Sequence, residues 1–419
     1  MAGDATEPRK RALGLLVDVT EDKRLLSKVL PKRVASLSPE DRARVQRLVT
    51  TTLRAMDRAD RALGPHLKKR PAPKVMNLLR LGMVEICELG EAPHGVVNSA
   101  VAITRSDKKT EGMAGLVNAV LRKADVESWH KLPVPRLPKW LRKPLVDDYG
   151  KEIVAGIEAA HYAGAPIDLT AKSDPAAVAR AVGGQHLPNG SVRVTGQVQV
   201  TALPGYEAGD WWVQDVSASL PARVLAAKPG ERVLDLCAAP GGKTLQLAAA
   251  GADVTAVDIN PGRMARVQEN LDRVDLTATC VVSDALEYDA APFDAVLLDA
   301  PCTATGTIRR HPDLPHAKDG SEFPGLFELQ EHLIDRALGL LKPGGRLVYC
   351  TCSLLIDEGE EQVRDALARH PGLRLEPITP ADTGFDFAAD DLGGLRLRPD
   401  FMAEHGGMDG FYIARFVKP

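Results

Sequence analysis

The chain has 419 residues, 44% of them hydrophobic and 26% charged, enough to bury ordinary cores in two or three domains. Its formal charge of −3 hides an asymmetry: residues 1 to 150 carry 29 Lys and Arg against 18 Asp and Glu, and the remainder carries 24 against 38. The opening "MAGDATEPRKRALGLLVDV" is charged early and has only a short apolar run, which supports neither a signal peptide nor a membrane span, so a cytoplasmic location is expected. Six cysteines stay reduced there, and the lack of a C-x-x-C or a His pair at ligand spacing argues against a metal site.

From Lys10 to about Ala124 the pattern is helical throughout. In residues 38 to 63, Ser38 stands as N-cap, Pro39 takes the first helical position, and Val45, Leu48, Val49, Leu53 and Met56 form one stripe that stops at Gly64-Pro65. Met113, Leu116, Val117, Val120 and Leu121 repeat the stripe, so a bundle is expected. Its basic excess suits a polyanion, most naturally a nucleic acid, without saying which. The run "LLRLGMVEICELGEAPHGVVNSAVAITR" followed by "GLVNAVLRK" resembles the RNA-binding helical domain of the NusB antitermination factor, which places an all-α NusB-like domain at residues 1 to 130.

Residues 131 to 209 read as a small α+β connecting module, with the Pro-rich "KLPVPRLPKWLRKPL" and strand-like pieces such as "SVRVTGQVQVTAL". From 210 to 419 strands alternate with helices: "ERVLDLCAA", "DVTAVDI", "TATCVVSD", "FDAVLLDA" and "GRLVYCTC" are the strands. This rhythm predicts a parallel, doubly wound, Rossmann-like α/β sheet that binds ligands beyond the carboxyl ends of its strands.

The candidate chemistry lies at those ends. "CAAPGGK" (Cys237, Ala238, Ala239, Pro240, Gly241, Gly242 and Lys243) follows the first strand, and its glycines let a ligand approach the backbone closely. It lacks the first glycine of a phosphate-binding loop and the glycines of a dinucleotide fingerprint. Asp258, Asp284 and Asp299 end three successive strands. One such Asp is more often a turn or cap residue, but three point to an adenosine ligand without pyrophosphate, which is S-adenosylmethionine. "DAPCTATGTIRRHPD" sets Cys302 beside Asp299 and offers Arg309, Arg310 and His311 for a phosphate backbone. "YCTCS" adds Cys350 and Cys352, and "DEGEEQ" after it looks like a helix start.

Together "CAAPGGKT", "VDIN", "DAPCTATGTIRRHPD", "YCTCS" and the closing "DGFYIARF" resemble the RNA 5-methylcytosine methyltransferases, and with the NusB-like front the chain resembles the ribosomal RNA small subunit methyltransferase B family. The resemblance implies methylation of carbon 5 of a cytosine in small-subunit (16S) ribosomal RNA. It implies that Cys352 attacks carbon 6, that Cys302 assists release and that Asp299 holds the base. S-adenosyl-L-methionine is the implied cofactor and RNA the partner, for a chain expected to act as a monomer without metal or membrane. Transfer RNA as substrate, or a non-catalytic RNA-binding scaffold, are the alternatives. Cys350, two residues before the nucleophile where relatives carry a small residue, is expected to lie about 7 Å back on the same strand face and to serve packing. Where that family often has a Leu-Arg-Val-Asn run, this chain has "DLTAK", Asp168 to Lys172.

Overall fold

Ser38 begins its helix as expected, its Oγ accepting from the Asp41 N–H at 3.1 Å with Pro39 at the first helical position. In the computed structural model, which describes residues 6–196 and 198–419, that helix covers Pro39–Arg54 and then breaks. Ala55 leaves helical geometry at φ −95°, ψ 9°, and a second helix, Met56–Leu63, turns the buried Met56 into the core. The single helix expected over residues 38 to 63 is therefore two.

These helices belong to a compact helical unit that runs to Ala163 and also takes in Ile308–Gly320. Its central helix, Pro73–Cys87, is buried on every face from Val75 onward. Such a helix must pair its polar side chains, and Arg9 meets Glu85 at 2.7 Å while Arg80 meets Asp60 at 2.6 Å. The segment Ile308–Gly320 is a strap built into this unit. Its Asp313 accepts from the Leu26 N–H at 2.8 Å, a carboxylate on the start of the helix Leu26–Val34, and Ala317 joins the core of Ala12, Leu15 and Leu48.

The second unit comprises Gly164–Thr307 and Ser321–Pro419. Strands β1 (Ile167–Ala171), β2 (Gln185–His186), β3 (Ser191–Val194) and β4 (Trp211–Val213) form a small antiparallel sheet in the order β2-β3-β1-β4. The larger sheet contains β5 (Arg232–Leu236), β6 (Asp253–Asp258), β7 (Thr279–Val282), β8 (Phe293–Asp299), β9 (Leu341–Thr351), β10 (Arg374–Glu376), β11 (Leu395–Leu397) and β12 (Phe411–Val417). Its order is β10-β12-β9-β8-β5-β6-β7, with β11 also on β12. Strands β5 to β9 are parallel to one another, and β10 to β12 are antiparallel additions, so the sheet is mixed at one edge. Two apolar layers cover its faces, one around Leu234, Val296 and Tyr349 and the other around Val233, Leu297 and Val348.

Asp168 to Ala171 of the "DLTAK" stretch lie on β1, where Asp168 is clasped by Arg193 through two 2.7 Å bonds, and Lys172 just past the strand donates to the Val274 carbonyl at 2.6 Å. Both charged ends are committed to the fold of this unit. Among the described residues no helix is long and apolar enough to cross a membrane, and no group of three or more His, Cys, Asp or Glu side chains is arranged to hold a metal.

Candidate active site

Parallel pairing of β8 with β9 sets the centre of the site. Asp299, the last residue of β8, lies in register with Cys350 of β9, and Cys352 follows two residues later. The chain leaving β8 returns across that tip: Ala300 N–H donates to the Cys350 carbonyl at 3.0 Å and Gly306 N–H to the Cys352 carbonyl at 2.9 Å. Gly306 also crosses Gly410 of the "DGF" run so closely that a side chain at 306 would strike the Gly410 carbonyl. The loop thus folds back tightly, and it brings Cys302 Sγ to 3.5 Å from Cys352 Sγ.

The Cys302 pKa is pushed well above the usual thiol range by its hydrogen bond to Cys352 and by burial, with further contributions from the Cys352 and Glu358 charges. The raised pKa favours the protonated form of Cys302, whose S–H lies within reach of the Cys352 sulfur. Cys350 is fully buried and also pushed well up, first by burial and then by Asp299. Its sulfur lies 3.5 Å from Asp299 Oδ1, so this thiol touches the candidate catalytic carboxylate as well as filling space. The other Asp299 oxygen, Oδ2, accepts from Lys243 Nζ at 2.8 Å. Burial works to lower the Lys243 pKa, but Asp299 and the other anionic neighbours outweigh it and hold the ammonium charged. The Lys243 ammonium also lies 5.3 Å from the centre of the Phe411 ring.

On the cofactor side, Cys237 turns the chain out of β5 at φ +60°, and Gly241, at φ +103°, packs so closely on Val267 that a Cβ there would meet its methyl at 3.1 Å. Gly242 and Lys243 open the helix Gly242–Ala249. Asp258 ends β6 and accepts from the N–H groups of Ala239, at 3.2 Å, and Asn260, at 2.9 Å. It thereby ties the Ala238-Ala239-Pro240 turn to the neighbouring strand. Arg263 lies over it with Nη1 3.4 Å from Oδ2, and the exposed Ile259 offers an apolar surface beside it. Asp284 sits two residues past β7 and turns the chain by accepting from the Leu286 N–H at 2.9 Å. A bare glycine turn with a carboxylate on the next strand and an apolar residue beside it fits an amino acid joined to an adenosine. A ribose seated on Asp258 would share it with, or displace, Arg263.

The expected site residues from "CAAPGGK", β6, β8 and β9 thus all lie at carboxyl ends of the parallel strands. Arg309 does not join them. It is fully buried within the helical unit, so its side chain is not presented to a phosphate backbone. Sequence reading missed Glu358, Gln330 and Thr303, which form a buried cluster behind Cys302. The only signal for Glu358 was its place among the acids of "DEGEEQ", where it passes for a residue of the helix start; the helix itself is Glu360–Arg369.

Fold and site define a methyltransferase that takes its methyl group from S-adenosylmethionine. Residues 222–417 match the model of the 16S rRNA methyltransferase RsmB/F family, and residues 6–125 match the NusB family. The ribosomal RNA small subunit methyltransferase B of Pseudomonas putida is 36% identical over 98% of this chain and 98% of its own length. A methyltransferase homologue from Pyrococcus horikoshii superposes with a TM-score of 0.55 at 28% identity, over 67% of this chain and 95% of its own. NSun6 from Pyrococcus horikoshii, crystallised with SFG, an analogue of S-adenosylmethionine, gives 0.57 at 20% identity, over 67% of this chain and 98% of its own. The chain belongs to the ribosomal RNA small subunit methyltransferase B family.

Proposed function

We propose that the chain methylates carbon 5 of a cytosine in 16S ribosomal RNA through a covalent bond between Cys352 and carbon 6. The observation that carries this reading is the pair of thiols, Cys302 and Cys352, 3.5 Å apart on two different loops, with Asp299 in register with Cys350 two residues before Cys352. Carbon 5 of cytosine is too weak a nucleophile to take a methyl group unaided. A thiolate adding to carbon 6 gives its electron pair to the new S–C bond and pushes the ring's electrons onto carbon 5. S-adenosylmethionine, bound by the Cys237–Lys243 turn, Asp258 and Asp284, supplies the electrophilic methyl group.

Asp299, bonded on one side to Lys243 and on the other to Cys350, serves to accept from the cytosine amino group and so fixes the base. After transfer the carbon 5 proton passes to solvent and the S–C6 bond breaks, returning its electron pair to Cys352. Cys302, protonated and in contact with that sulfur, stabilises the departing thiolate. A base stacked in a duplex cannot reach such a site, so the target is unpaired or flipped out, and the basic helical unit holds the flanking RNA. This work belongs in the cytoplasm, with ribosomal RNA as partner.

Bisulfite sequencing of 16S and transfer RNA from cells with and without the gene tests the substrate. The expected result is one 16S cytosine that loses protection when the gene is deleted. A loss confined to transfer RNA, or no loss at all, contradicts the proposal.

A further inference from the structure

Glu358 is fully buried, an expensive place for a carboxylate unless its oxygens are well bonded. They are. Oε1 accepts from the Thr303 N–H at 2.9 Å and from Gln330 Nε2 at 2.9 Å, and Oε2 accepts from Thr303 Oγ1 at 2.5 Å. Gln330 Nε2 also donates to the Pro301 carbonyl at 2.9 Å. The residues on both sides of Cys302 are thus gripped by one carboxylate and the amide attached to it.

The backbone of the same residue faces the other loop. The Glu358 carbonyl accepts from Tyr349 Oη and from Thr351 Oγ1, each at 2.9 Å, and these residues flank Cys350 on the strand that leads into Cys352. Side chain and carbonyl of a single residue therefore span the gap between the two cysteine loops. We propose that Glu358 is the positioning residue that sets Cys302 against Cys352, and that its loss uncouples the release of methylated RNA from methyl transfer. Glu358 touches neither thiol through a hydrogen bond and acts through Thr303, Pro301, Tyr349 and Thr351.

This inference rests on the proposed roles of the two cysteines, so the experiment includes Cys302→Ala as a reference. In single-turnover reactions of the full-length protein with a 16S RNA fragment and S-adenosylmethionine, methyl transfer and decay of the protein–RNA adduct are timed separately. Glu358→Ala is expected to leave transfer within about twofold of the unmodified protein and to slow adduct decay about tenfold or more, the scale of one lost charge-assisted bond. Glu358→Gln, which keeps an acceptor for the Thr303 N–H, should recover most of the decay rate. If Glu358→Ala does not fold, Gln330→Ala carries the test, with decay slowed about threefold and transfer unchanged. Adduct that accumulates in Cys302→Ala while the folded Glu358 or Gln330 variants decay normally, or slow both steps equally, overturns the role of Glu358 and leaves the cysteine roles standing. If Cys302→Ala itself accumulates no adduct, the cysteine roles are wrong and the inference falls with them.

Discussion

The helical core and the reactive loops of the sheet unit bury polar groups in different ways, although the sheet unit also keeps buried ion pairs such as Arg193 with Asp168. In the helical unit buried cations meet anions, as in Arg9 with Glu85 and Arg80 with Asp60, and the buried imidazole of His161 is held neutral: burial, then Arg309 and Arg54, lower its pKa to about 3. At the active end of the sheet, beside the ion pair of Lys243 with Asp299, burial and, for Cys302, first the hydrogen bond to Cys352 favour the protonated acids. Asp235 is pushed up to about 7, mainly by burial, and Cys302 and Cys350 are pushed well above the thiol range. The first arrangement stabilises a scaffold, and the second keeps protons available beside reacting atoms.

The largest expected effect is chemical and confined to the sheet unit. Cys352→Ala should lower the methylation rate by a factor of about a thousand or more, because no other thiolate is placed to activate the ring. Binding of S-adenosylmethionine, measured by calorimetry, should be preserved. Next comes a structural change in the same unit. Asp168→Ala leaves Arg193 charged and buried, which should cost about 3–5 kcal/mol in urea unfolding. A loss below 1 kcal/mol would mean that the pair only offsets its own desolvation.

The contrast in buried protons predicts opposite pH responses. A folded-state pKa of about 3 for His161 means that, as pH falls from 6.5, the unfolded chain takes up a proton that the folded chain refuses, so stability is lost toward acid. By pH 4 the loss is roughly 3 kcal/mol. For Asp235, raised to about 7, the folded chain keeps a proton that the unfolded chain releases above about pH 4. Its contribution therefore falls as pH rises to 7, by about 3 kcal/mol between pH 4.5 and 7. In urea titrations across this range, His161→Leu should gain on the unmodified chain as pH falls, and Asp235→Asn should gain as pH rises. Parallel slopes for both variants would remove the contrast.

Smaller effects sharpen the description of the site. Asp258→Ala should weaken S-adenosylmethionine binding about 10- to 100-fold, the worth of hydrogen bonds to a charged group, as read by calorimetry in chelator. Cys350→Ala should slow methyl transfer only about two- to threefold, since Lys243 still holds Asp299 from the other side. An unchanged rate would return Cys350 to a purely packing role.

Much of this was legible in the chain. Five parallel strands, the glycine turn after β5 and an Asp closing β6 and β8 follow from apolar runs punctuated at their ends. Asp284 was visible too, although it falls two residues beyond its strand. Contacts set by register were not legible, because neither β8 nor β9 alone says that Asp299 will lie beside Cys350. The break at Ala55 leaves no trace in a stripe that continues across it. Arg309 looks solvated in a loop rich in charge, yet its segment packs into the helical core, a tertiary choice that local composition does not encode. Glu358 was hidden for the same reason, since an acid before a helix ordinarily faces water.

The two-thiol chemistry is tested most directly by denaturing gel electrophoresis of the full-length protein incubated with a 16S RNA fragment and S-adenosylmethionine. Cys302→Ala should give a slow-migrating protein–RNA adduct that survives denaturant, and Cys352→Ala should give none, because the bond to carbon 6 never forms. An adduct that persists in Cys352→Ala and vanishes in Cys302→Ala would reverse the two roles and contradict the proposed mechanism.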